Sequence, residues 1–325
     1  MEKLPLEILC NIFLHLNNNK KTFSIYNCLL VNRTWCICCI PLIWKNPFDN
    51  KYVQNQYIKK NYNKYNNIIE IYTDLLDYNT KILFNIDPSN KMHLFKYCDF
   101  MKELNFTQLY LVVSNWIINK HIISYKKKFY EKIDFEITNL KICNLAFELL
   151  KTFILKCENL SSLYIDTSYI GICMKNKFNT SILISNKLTN ILFRLKKIYI
   201  GDLYNKMELI CYIFNYCKIE EIIVIISDNE KSDSFQSLAN LLCQHYSLKH
   251  FTCRYIGIYS HSKLNANCII KSFLHAVNYN KSILSYVEFF RCNFINDIEL
   301  LKLSCLIKIK LNLINCKIER NSLNQ

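Results

Sequence analysis

A short phrase, apolar-x-x-apolar-x-apolar, returns along the chain from about residue 95 onward and limits the possible folds more than any other feature. It reads Met101-Leu104-Phe106, Tyr130-Ile133-Phe135, Leu160-Leu163-Ile165, Leu195-Ile198-Ile200, Ile219-Ile222-Val224, Leu248-Phe251-Cys253 and Leu284-Val287-Phe289, and closes less regularly on Leu311 and Leu313. The step between phrases is uneven and averages about 30 residues, the scale of a repeated supersecondary unit. Alternating apolar residues predict a short strand with one face turned inward. Between the phrases, residues 144–155, 207–217, 235–243 and 266–277 carry apolar side chains at helical spacing. Strand and helix recurring together predict an α/β array in which each unit buries its apolar face only against its neighbours, a solenoid.

The rest of the chain is organised differently. All four prolines, Pro5, Pro41, Pro47 and Pro88, lie in the first quarter, and the three glycines, Gly171, Gly201 and Gly257, lie later. The turn-like Asp87-Pro88-Ser89-Asn90 marks a boundary before Lys91, and the Asn-, Lys- and Tyr-rich stretch 46–67 marks another. These divide the chain into residues 1–48, a helical linker over 49–95, and the repeat region 96–325. Residues 68–86 predict a connecting helix followed by a short extended piece.

In the first segment, residues 4–16 predict a helix with Pro5 near its first turn, where the missing N–H costs nothing. Glu7, Asn11 and His15 form one narrow polar stripe, and apolar residues cover the remainder. A surface helix normally needs an apolar stripe of only about 100°. Residues 28–40 predict a second apolar helix stopped by Pro41, and Leu42-Ile43-Trp44 open a third element. A bundle this small rarely hides so much apolar surface by itself, so a following domain, a partner protein or both must cover it.

The strings LPLEILCNIFLHL, LLVNRTWC and IPLIW carry a resemblance. Over about residues 3–45 they are similar to the F-box pattern, matching in order at Leu4-Pro5, Glu7, Ile12-Phe13, Asn32-Arg33, Trp35 and Trp44. The resemblance implies a three-helix F-box that binds the Skp-type adaptor of a Skp–cullin–F-box ubiquitin ligase and, through it, a cullin. It assigns the adaptor face to Leu4, Pro5, Ile8, Leu9, Ile12, Phe13, Leu29, Val31, Trp35 and Leu42, some of which must instead serve the bundle's own core.

The repeat region resembles leucine-rich repeats, most closely in VEFFRCNF and LNLINCKI, where a Cys stands three residues after the second strand anchor. The chain is thus expected to be α/β overall, an N-terminal three-helix F-box followed by an irregular leucine-rich-repeat-like α/β solenoid. On such a solenoid the residues between the strand anchors point to the concave face: Asn105, Asp134, Tyr164, Tyr199, Ile223, Thr252, Glu288 and Asn312. Glu103, Lys132, Asp166, Lys197, His250, Arg254, Tyr286 and Phe290 flank them on the same side. The mix of aromatics with charges of both signs suits a surface that binds a protein substrate.

Composition removes most other functions. Three glycines provide no phosphate-binding loop, dinucleotide fingerprint or nucleophile elbow, all of which need close backbone approach. The seven histidines form no H-E-x-x-H, and the Cys36–Cys39 spacing has no second pair to complete a zinc site. No catalytic residue, cofactor or metal is expected. No apolar run reaches the roughly 18 residues of a membrane helix. Glu2 and Glu7, with no basic flank or cleavage site, speak against a leader. The expected location is cytoplasmic and/or nuclear, where the seventeen cysteines act as small core hydrophobes. The formal charge of +15 raises a basic nucleic-acid-binding repeat protein as an alternative. Lys, Asn, Ile, Tyr and Phe are abundant together, as AT-rich codons produce, so nucleic acid is not the expected partner. A scaffold whose F-box works outside any ligase is the other alternative.

Overall fold

The computed structural model describes residues 4–18, 22–48, 62–88, 93–125, 135–166, 194–201, 217–226, 247–255, 285–290, 293–294, 310–314 and 317–318. They fall into two compact units, Met1–Leu160 and Ser161–Gln325.

The first unit is helical. It opens with α1 (Leu6–Asn18), α2 (Thr22–Cys28) and α3 (Arg33–Trp44). Pro5 precedes α1, and its carbonyl accepts from the amides of Ile8 and Leu9 at 3.1 and 3.2 Å. Asn32 is extended and caps α3, its Oδ1 accepting from the Trp35 amide at 2.9 Å. The Asn-Arg-x-Trp segment is therefore a helix start. This differs from the expected helix over 28–40. Cys28 ends α2, a turn carries Leu29 to Val31, and α3 runs through Pro41 to Trp44. Proline in a helix leaves the carbonyl four residues back without its donor. That residue is Ile37, on the exposed side of α3, so the helix continues.

Residues 68–86 form two helices in place of one helix and an extended piece: the end of α4 (Tyr62–Thr73), then α5 (Tyr78–Leu83). Asp77 caps α5 by accepting from the Thr80 amide at 3.0 Å and the Thr80 hydroxyl at 2.6 Å. Asn85, at φ 54°, ends it with the Asn85 amide donating to Ile82 and the Ile86 amide to Lys81. Asparagine is among the few non-glycine residues that accept this left-handed position. A 3-10 turn (Tyr97–Phe100), the three-residue β1 (Glu103–Asn105), α6 (Phe106–Tyr125) and α7 (Phe135–Lys156) complete the unit.

Phe106 and Phe135, expected as the last anchors of two strands, instead open α6 and α7. In α7, Ile142, Leu145, Ala146, Leu149, Leu150 and Phe153 are all buried at helical spacing. That long period outweighs the short strand phrase before it. Tyr130, Ile133 and Asp134 lie outside the described residues.

The second unit is a parallel ladder. Its strands β2 (Ser162–Asp166), β3 (Lys197–Gly201), β4 (Glu221–Ile226), β5 (His250–Tyr255), β6 (Tyr286–Phe290) and β8 (Lys310–Ile314) pair in that order, each parallel to the next. The anchors read from the sequence fall in one register, Leu163-Ile198-Ile222-Phe251-Val287-Leu311 and Ile165-Ile200-Val224-Cys253-Phe289-Leu313. From Leu163 and Ile165 to Val287 and Phe289, every anchor is buried. At the start of each of the first four rungs one carbonyl accepts from two successive amides: Ser161 from Lys196 and Lys197, Lys196 from Glu220 and Glu221, Glu220 from Lys249 and His250, Lys249 from Ser285 and Tyr286.

The short strands β7 (Asn293–Phe294) and β9 (Lys317–Ile318) pair with each other in a separate two-stranded sheet. In both units that resemble leucine-rich repeats most closely, the chain therefore leaves the ladder just past the strand. The positions of Cys292 and Cys316 themselves lie outside the described residues, as do the helices expected over 235–243 and 266–277 and all but Cys217 of the one expected over 207–217.

Candidate functional site

Two surfaces emerge, one in each unit. In the first, α1, α2 and α3 close on a small core of Leu9, Phe13, Ile25, Cys28, Cys38 and Cys39. Phe13 meets Trp35 edge to face, ring centroids 5.1 Å apart. Of the ten residues assigned to the adaptor face, Leu9 and Phe13 are thus spent on the bundle's own core. Leu29, Trp35 and Leu42 are half-buried against it. Leu4, Pro5, Ile8, Ile12 and Val31 stand exposed.

Four more large apolar side chains are exposed without having been singled out: Leu6, Leu14, Ile37 and Leu30, the last 87% exposed. The helical wheel of α1 holds the signal for most of this division. Leu9, Phe13 and Leu16 make one stripe, and Ile8 and Ile12 fall on a flank of it. Leu30 lies in a turn, where no periodicity speaks for it.

The thiols of this core are chemically quiet. Burial pushes Cys38 up to about 11, helped by its contact with Cys10, and pushes Cys39 up to about 12, helped by Cys28. A buried neutral thiol is a poor nucleophile and a poor ligand. Among the described residues no cluster of three or more His, Cys, Asp or Glu is placed to hold a metal ion, and the cysteines form no disulfide. No helix of the described residues is long and apolar enough to cross a membrane.

The exit of α3 is fixed to the rest of the first unit. Trp44 packs on Tyr97 at 4.1 Å and on Tyr72 at 5.6 Å, and Tyr72 meets Phe153 at 4.7 Å. Lys45 accepts at its carbonyl from the amides of Lys102 and Glu103, at 2.9 and 3.0 Å. Its Nζ pairs with Glu103 at 2.8 Å. This repeats the two-amide arrangement that starts the first four rungs of the ladder. The three helices so arranged identify themselves by family. Residues 1–50 match the F-box-like family model. No curated protein matches the chain. The F-box-like domain therefore comprises the bundle whose Asn32 cap, Phe13–Trp35 contact and exposed apolar residues are described above.

The second surface is the face of the ladder opposite the anchors. The register brings Tyr164, Tyr199, Ile223, Thr252, Glu288 and Asn312 into one row across six strands. Asn105 is buried in the first unit, where its Oδ1 accepts from the Gln108 amide, and Asp134 lies outside the described residues. Tyr164 and Tyr199 stack at 4.0 Å. Ile223 and Thr252 are buried despite their place in this row.

Beside them the row becomes polar. The Tyr286 hydroxyl donates to Glu288 Oε2 at 2.6 Å, and Asn312 Nδ2 donates to both at 3.1 Å. The bond to Glu288 raises the tyrosine's pKa. Arg254 stands 3.8 Å from Glu288, and the His250 ring meets Tyr286 edge to face. Lys197 and Glu221 pair across β3 and β4 at 2.6 Å. Nothing in this arrangement joins a nucleophile to a base. It is a surface of fixed aromatic and polar contacts.

Proposed function

We propose that this chain is the substrate-recognition subunit of a Skp–cullin–F-box E3 ubiquitin ligase. The F-box-like domain binds the Skp-type adaptor and thereby a cullin, and the leucine-rich-repeat-like region, reading 96–325 as a solenoid joined to the F-box through the linker 49–95, holds a protein substrate on the face of its ladder. The observation that carries this reading is the large apolar surface left open on the F-box-like helices: Leu4, Leu6, Ile8, Ile12, Leu14, Leu30, Val31 and Ile37. Water contact with that much apolar area is unfavourable by about 25 cal/mol per Å², and a patch of this kind on a small bundle marks a protein interface. The strictly sequential parallel order of the ladder, with every anchor in one register, supports the solenoid reading.

On this reading the chain performs no chemistry. It supplies proximity and orientation to an enzyme held by the same complex, in the cytoplasm and/or nucleus. The test is affinity purification of the full chain followed by mass spectrometry. A Skp-type adaptor and a cullin are expected with the native chain. Both should be lost when Leu4, Pro5 and Ile8 are replaced together, while the ladder stays folded. Undiminished recovery of the adaptor by that variant would remove the proposal.

A further inference from the structure

The second unit arranges its charges with a consistent polarity. In each ion pair among its described residues the base is more exposed than the acid: Lys196 67% against Glu220 36%, Lys249 49% against the same Glu220, Lys197 41% against Glu221 29%, and Arg254 42% against Glu288 14%. Formal neutrality within a pair therefore still presents the positive end outward. Three of these bases are satisfied. Lys197 and Lys249 bond their acids at 2.6 and 2.8 Å, and Lys196 stands 3.5 Å from Glu220.

Arg254 is different. Its acid is 3.8 Å away, beyond hydrogen-bond distance, and its buried Nε–H has no acceptor. Buried donors are nearly always paired, so the exception needs a cause. Tyr286 and Asn312 both hold Glu288 Oε2, which sets the carboxylate with its Oε1 3.8 Å from the guanidinium. The guanidinium is oriented from behind by a fixed carboxylate and keeps its donors for something else. A planar fork held this way is complementary to a carboxylate, which it can grip with two parallel bonds.

We propose that Arg254 is the anchor for an acidic side chain, Asp or Glu, of an extended segment of the protein substrate, seated at the β5–β6–β8 end of the ladder face. This rests on the reading of that face as the substrate surface. The charge count selects a carboxylate over a phosphate group. Among the described residues of this end of the face, one cation whose own acid stands beyond hydrogen-bond distance suits one negative charge, whereas a dianion would face Glu288 with nothing more to offset it. The same count selects a protein over a nucleic acid, since successive phosphates would meet Glu220 and Glu221 beside Lys196, Lys197 and Lys249.

The test is selection of a random peptide display library against the full chain bound to its adaptor. The native chain, Arg254→Gln, Arg254→Lys and the double Tyr164→Ala, Tyr199→Ala variant are compared, with circular dichroism and thermal unfolding to show that each is folded. Asp and Glu enrichment is expected with the native chain, partial enrichment with Arg254→Lys and none with Arg254→Gln. An individual selected peptide should bind about tenfold or more weakly when its acidic residue becomes the amide, the scale of one lost charge-assisted contact. Enrichment that persists in Arg254→Gln, or selected peptides without acids, would overturn the anchor. Non-acidic peptides lost in the double tyrosine variant would overturn the anchor alone and leave the face as the substrate surface. Peptides insensitive to every variant would take both readings down. A selected peptide that binds more tightly with phosphoserine at the acidic position would overturn the choice of carboxylate. A short single-stranded RNA whose binding is steep in salt and lost in Arg254→Gln would replace protein with nucleic acid.

Discussion

The two units treat their apolar residues in opposite ways. In the ladder, the inward anchors from Leu163 to Phe289 are buried, and each rung covers the one before it. In the F-box-like bundle, α1 sends Leu9 and Phe13 inward and leaves Leu6, Ile8, Ile12 and Leu14 in water. A parallel array completes its own core because every strand has a neighbour of the same kind. A bundle of three short helices has too few neighbours to do so. The difference separates side chains that hold the fold from side chains that wait for a partner, and single substitutions can tell the two apart.

The largest effect belongs to the ladder. Phe251→Ala removes a fully buried ring that packs 6.4 Å from Phe289. It should cost about 3 to 5 kcal/mol in a denaturant titration, with adaptor recovery from the folded fraction unchanged. A cost below about 1 kcal/mol would mean that the anchors are less tightly packed than their burial implies.

Next comes the bundle's open surface. Ile8→Ala with Ile12→Ala should change unfolding free energy by no more than about 0.5 kcal/mol per site. Adaptor affinity, measured by calorimetry, should nonetheless fall by about 2 kcal/mol or more. Phe13→Ala is the opposing control: it lies in the core against Trp35, so its loss should appear first in stability. If Ile8 and Phe13 behaved alike, the division between core and interface would be wrong.

A smaller effect tests the local architecture. Asn32→Ala should destabilise the first unit by about 1 kcal/mol through loss of the α3 cap, and Asn32→Asp or Asn32→Ser should restore most of it.

The smallest is a dependence on pH. Cys38 and Cys39 are held above the ordinary thiol range, at about 11 and about 12, first by burial. The folded bundle therefore favours the protonated thiols. Their contribution is complete below the unfolded-state value, near pH 9, and is lost as pH rises from there through the folded values. Denaturant midpoints measured under reducing conditions should fall above pH 9, and Cys38→Ala with Cys39→Ala should flatten the decline.

These comparisons bear on what sequence reading reaches. The ladder was legible because a period of two fixes which side chains share a face, and the anchor phrase set the register strand by strand. Tyr164, Tyr199 and Glu288 were placed in one row in the same way, as the residues between anchors. The bundle was legible as a pattern but not as a surface. The wheel of α1 separates the stripe of Leu9 and Phe13 from the flank of Ile8 and Ile12, but the neighbouring helices decide that the first is covered and the second open. The end of α3 was missed because Pro41 reads as a stop, whereas its lost hydrogen bond falls on the solvent side, and the start of α3 was missed because Leu29 to Val31 form a turn before the Asn32 cap. Phe106 and Phe135, read as last strand anchors, open α6 and α7 because the helical period that follows each is longer and buries more, and the phrase before Phe106 keeps only the three-residue β1.

By itself the sequence determined the order of events along the chain: an F-box-like start, a change of composition, and strands in one phase with a row of polar and aromatic residues between their anchors. Those follow from local spacing, which needs no knowledge of what lies across the fold. Tertiary structure alone decided which apolar side chains the bundle keeps for itself, and which base on the ladder stands beyond hydrogen-bond distance of its acid. Burial is set by residues distant in the chain, and the place of Glu288 depends on Asn312 from the next strand as well as on nearby Tyr286, so no local pattern alone encodes them.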